Sequence, residues 1–93
     1  MYVIIETIDR SDYGYGIEVK VNSAFYRLLN AQKWLERFSK KNLTAMMHPD
    51  GMGLTYTTRV EVRDMIPGAQ TEVIQEIHTV KIEKTRVEDE GYV

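Results

Sequence analysis

The stretch Gln70–Val87, QTEVIQEIHTVKIEKTRV, decides the fold because it carries two periodicities at once. Val73, Ile77, Val80, Lys84 and Val87 recur at intervals of four and three, the spacing of one helix face. Yet Thr71, Val73, Ile74, Ile77, Thr79, Val80, Ile82, Thr85 and Val87 are all β-branched, and such stiff side chains favour extended backbone. We read the segment as a strand. A bulge near His78 would bring Ile74 and Ile77 into step with Val80 and Ile82.

Working outward, the turn Ile66-Pro67-Gly68-Ala69 precedes this strand, since proline presets its φ and glycine accepts a positive one. Before the turn, Leu54 to Arg63 alternates, with Leu54, Tyr56, Thr58, Val60 and Val62 on one side. The opening reads as a hairpin. Tyr2 to Ile8 is rich in β-branched residues, residues 9–14 supply turn chemistry, and Tyr15 to Val21 places Tyr15, Ile17, Val19 and Val21 on a face expected to be half-buried.

Between the two pairs of strands, Asn22 or Ser23 is expected to cap a helix running to about Lys40. At about 100° per residue, Ala24, Phe25, Leu28, Ala31, Leu35 and Phe38 gather on one face. Lys40 and Lys41 suit the negative pole of its dipole. Residues 42–53 read as a loop. The expected architecture is α+β: an antiparallel four-stranded sheet in ββαββ order with one long helix packed across one face. It forms a single domain over residues 1–87, followed by an acidic tail over 88–93.

Composition narrows the function. The 93 residues contain no cysteine, which leaves no disulfide scaffold and no thiolate metal site. No apolar run is long enough to span a bilayer, and the start lacks the basic segment of a signal peptide. These features lead us to expect a cytoplasmic protein without membrane association. The net charge is −2, but residues 22–48 carry five basic groups against Glu36 alone, while both flanking segments are acidic. That basic middle either steers an acidic partner or complements the rest of its own domain.

Catalytic motifs are absent. Ser11, Ser23 and Ser39 lie in a turn, an expected cap and a helix end, and none sits in a Gly-x-Ser-x-Gly elbow. Gly14-Tyr15-Gly16 and Gly51-Met52-Gly53 lack the third glycine of a phosphate loop. Two scattered histidines fall short of a metal site, so we expect no metal, no cofactor and no enzymatic activity. Nucleic acid is disfavoured by the acidic balance.

His48-Pro49-Asp50, following the basic residues Lys40 and Lys41, resembles the His-Pro-Asp loop of J-domain co-chaperones. The likeness covers about a dozen residues and would imply recruitment of a chaperone. In that family a further helix follows, whereas Leu54 to Arg63 reads as a strand. Pro-Asp-Gly is also a natural turn.

The most specific signal is a second helix stripe. Tyr26, Asn30, Lys33 and Arg37 fall at intervals of four, three and four, with Lys40 beside them and Trp34 and Lys41 on the other edge. Tyr, Trp and Arg are the types that most often anchor protein contacts. The sequence therefore points to a small non-catalytic protein-binding module (adaptor, inhibitor or assembly subunit) whose partner has an acidic surface. The alternative is a ligand- or nucleotide-binding oligomer with a pocket lined by Tyr13, Tyr15, Tyr56, Arg59 and Arg63. Exposed sheet edges lead us to expect a homo-oligomer under either reading.

Overall fold

The computed structural model describes residues 1–10, 16–62 and 72–85. They form β1 (Tyr2–Asp9), β2 (Ile17–Phe25), α1 (Leu28–Lys41), β3 (Met46–Met47), β4 (Gly53–Val62) and β5 (Glu72–Lys84). The strands make one five-stranded sheet in the order β2-β1-β5-β4-β3, with every neighbouring pair antiparallel. The α+β class and antiparallel sheet match expectation. The strand count does not, because Met46-Met47 pairs with Leu54 and Thr55 where a loop was expected.

β5 is a strand, as its β-branched content implies, and it lies between β1 and β4. Its register runs unbroken through His78 on both sides, so the expected bulge is absent there. The inward set is Ile74, Glu76, His78, Val80 and Ile82, while Ile77 points outward. Period-2 geometry is intact, and two polar residues in inward positions disguise it as a helical pattern. The register shift lies instead in β2, where Ile4 faces Ser23 and Ile5 faces Val21. That extra residue lets β2 continue to Phe25. Asn22 and Ser23 therefore belong to a strand and do not cap the helix, and Ala24 and Phe25 leave its expected stripe.

α1 starts after Arg27 with no side-chain cap, so its stability comes from packing more than from its ends. At the other end, Asn42 Nδ2 donates to the Phe38 carbonyl at 2.9 Å. Ala31 and Leu35 seal against Ile4, Leu54, Tyr56, Val80 and Ile82, with Leu28, Trp34, Phe38 and Phe25 partly buried around them. Each fully buried aliphatic side chain contributes about 1.5–3 kcal/mol, so this cluster dominates stability.

The His48-Pro49-Asp50 segment turns the chain from β3 into β4. Gly51 N donates to the His48 carbonyl at 3.0 Å and His48 N to the Gly53 carbonyl at 2.8 Å. Gly51 has φ +70°, and a Cβ on Gly53 would lie 2.8 Å from both His48 Nδ1 and the Val80 carbonyl. A strand follows, unlike the helix of the J-domain arrangement. The turn over 66–69 and the tail over 88–93 lie outside the described residues.

Candidate functional site

One flank of α1, beside the end of β2 at Phe25, holds two adjoining hollows. One, of about 190 Å³, is lined by Phe25, Asn30, Lys33, Trp34 and Arg37. The other, of about 240 Å³, is lined by Trp34, Arg37, Phe38 and Lys41. Trp34 and Arg37 line both. Their arrangement follows from helical spacing: Asn30, Lys33, Trp34, Arg37 and Lys41 recur at three and four residues along one side. The aromatic floor is half-buried and the cations are exposed. No carboxylate lines either hollow.

Other expected members stand apart. Lys40 pairs with Glu36 at 3.5 Å and lines neither hollow. Tyr26 precedes α1 and is 83% exposed, flanking the site without lining it. Phe25 was missed as a wall of the site because it was placed in the helix core.

Beneath the surface, rings connect this flank to the sheet. Trp34 stacks on Phe38 at 5.2 Å, Phe38 meets Tyr56 at 5.4 Å, and Tyr56 stacks on His78 at 4.3 Å. His78 opens a buried polar network. Its Nδ1 lies 3.1 Å from Glu6 Oε2 and its Nε2 lies 2.8 Å from Thr58 Oγ1. Thr58 donates to Glu76 Oε1 at 3.2 Å, and Glu76 also takes the Arg10 guanidinium. Glu6 further accepts from Asn22 at 3.0 Å and lies 3.5 Å from Lys20 Nζ.

Burial alone would raise the Glu6 carboxyl. Hydrogen bonds from Asn22 and His78, and the charges of Lys20 and His78, outweigh it and hold Glu6 below the ordinary value. Burial, then the Glu6 charge and hydrogen bond, pushes the Tyr56 phenol up to about 12.

Thr58, His78 and Glu6 follow the order nucleophile, base, orienting carboxylate. Thr58 Oγ1 carries one hydrogen for two neighbours, Glu76 Oε1 at 3.2 Å and His78 Nε2 at 2.8 Å, so the carboxylate competes with the imidazole for the hydroxyl. Among the described residues every buried side-chain nitrogen and oxygen has a partner, as in a satisfied polar core. Sequence reading did not bring Glu6, Thr58, Glu76 and His78 together. The available signal was parity, since Glu6 occupies the inward phase between Ile4 and Ile8.

The alternative pocket does not assemble from its described members. Alternation along β4 puts Tyr56 and Arg59 on opposite faces, with Tyr56 buried and Arg59 exposed. Tyr13, Tyr15 and Arg63 lie outside the described residues. His48, considered as a metal ligand, instead lies 2.8 Å from Thr55 Oγ1 through its Nε2. Among the described residues, no three His, Asp or Glu side chains gather as metal ligands, and no helix is long and apolar enough to cross a membrane. Compared with protein-family models, curated proteins and solved structures, the chain matches none.

Proposed function

We propose that this protein is a binding module that docks an acidic segment of a partner protein on the α1 flank. The observation that carries the reading is the lining of the paired hollows: Lys33, Arg37 and Lys41 around Phe25, Trp34 and Phe38, without a carboxylate. Exposed cations attract and orient a negatively charged chain, while the aromatic floor gives its apolar side chains a place to be buried. Neither hollow is large or deep, which suits a side chain or two of a peptide better than an enclosed small molecule. Tyr26 and Leu29, both largely exposed, extend the contact surface beyond the hollows.

Trp34 is the only tryptophan in the chain and lines both hollows, so its emission reports occupancy. A Glu-rich probe peptide bearing one phenylalanine should shift that emission in a saturable, salt-sensitive titration. The variant Lys33→Glu with Arg37→Glu should weaken binding roughly tenfold or more, because a charge reversal replaces attraction with repulsion. Equal binding by this variant, or an unchanged Trp34 signal with the parent protein, would sink the proposal.

A further inference from the structure

The two outer edges of the sheet are treated differently. At one edge β3 pairs with β4, and Thr44 continues the cover: its Oγ1 accepts from Thr57 N at 3.1 Å and donates to the Thr57 carbonyl at 3.0 Å. At the other edge β2 pairs only with β1 among the described residues. Every residue from Gly16 to Asn22 is exposed. Ile17, Val19 and Val21 are 62%, 63% and 65% exposed on the sheet face opposite α1, where the sequence had led us to expect burial. An edge of this kind is a template for another strand.

We propose that β2 pairs antiparallel with β2 of a second copy of this chain, with Val19 facing Val19 across a twofold axis. Charge complementarity selects the partner and the register. Directly opposed residues in an antiparallel pair share a face. With Val19 on the axis, Glu18 opposes Lys20 of the second copy, and Lys20 opposes its Glu18. On the other face Ile17 meets Val21, and Val19 meets Val19. Centring the axis on Lys20 would set lysine against lysine, and centring it on Glu18 would set glutamate against glutamate. A one-residue slip would oppose charged to apolar side chains on both faces.

Contacts within each copy extend the match. Lys20 already lies by Glu6, and Arg10 Nη1 lies 3.3 Å from Glu18. Charges therefore alternate across the seam as Glu6, Lys20, Glu18 and Arg10, the last two from the second copy. The register shift at Asn22 ends the regular stretch, so the seam is short and the dimer concentration-dependent. The result is a ten-stranded sheet with both α1 helices on one face. The inference is independent of the acidic-segment site.

Sedimentation equilibrium on the full chain, between roughly 1 and 500 μM, the range suited to a small interface, should show a monomer–dimer equilibrium. Val19→Lys and Val19→Glu should each be monomeric there, because like charges meet on the axis. Their equimolar mixture should recover the dimer. Val19 is exposed, so neither change disturbs the core, and circular dichroism checks the fold. The chain has no cysteine, so Val19→Cys offers one thiol, which should oxidise to a disulfide-linked dimer far faster than Val21→Cys, whose two copies lie well apart in this register. A parent protein monomeric throughout, a dimer indifferent to both charged variants, or equal oxidation of the two cysteine variants would each overturn the proposal.

Discussion

Ile4 and Glu6 sit two residues apart on the same face of β1, and both are almost completely buried. Ile4 belongs to the cluster that packs on α1, whereas Glu6 lies outside it. Along β5 the same division separates Val80 and Ile82 from Glu76 and His78. Under the helix, burial needs only complementary shape, because no polar atom loses water without return. Beyond it, each buried polar group must find its own partner, and Glu6, Thr58, Glu76 and His78 do so by using one another. One half of the face is held by area and the other by a chain of hydrogen bonds. Their responses to substitution should differ in kind.

The largest effect belongs to the apolar half. Leu35 is completely buried between helix and sheet, so Leu35→Ala should cost about 2–5 kcal/mol in urea unfolding, with no dependence on salt. In the polar half, His78→Leu should cost about 1.5–3 kcal/mol, because Glu6 and Thr58 each lose a partner while Asn22 and Lys20 still hold Glu6. Combining His78→Leu with Thr58→Val should cost less than the sum of the two single changes, by about 1 kcal/mol. Additive costs would show that the network is only a set of separate bonds. A coupling between Leu35→Ala and Thr58→Val as large as that within the network would erase the distinction between the halves.

The same division governs what could be read in advance. The strands β1 and β4 were legible because their inward residues are mostly apolar where the helix covers them. α1 was legible through Leu28, Ala31, Leu35 and Phe38, whose burial needs one continuous stripe. The polar half concealed its pattern, since Glu76 and His78 fill inward positions that sequence patterns reserve for apolar groups, and this produced the false bulge. At the start of α1, Asn22 and Ser23 offered good capping chemistry, but pairing with β1 competed for the same backbone and prevailed. Apolar alternation in β2 was real, yet alternation shows only that a strand has two unlike faces. It does not say which face the helix covers. The helix-flank site was legible through spacing, except for Phe25, which reaches it from β2.

The finest test of the comparison concerns Glu6 and changes the shape of a stability profile more than its height. Folding holds the Glu6 carboxyl below its ordinary value of 4.5, since its hydrogen bonds and neighbouring cations outweigh the penalty of burial. A group whose value is depressed on folding contributes stability that is fully present above 4.5 and is lost as pH falls through the folded value. Glu6→Gln keeps the shape and an acceptor oxygen but has no proton to gain. Unfolding free energies of the two proteins should therefore be furthest apart near neutral pH, with the parent more stable, and should converge below pH 4.5. The other carboxylates titrate in both proteins, so their contribution cancels in the difference and the remaining curve belongs to Glu6. Leu35→Ala compared with its parent in the same way should give a flat line, because the apolar half holds no carboxylate that gains a proton over this range. A flat line for Glu6→Gln as well would mean that the network holds its carboxylate no better than water does.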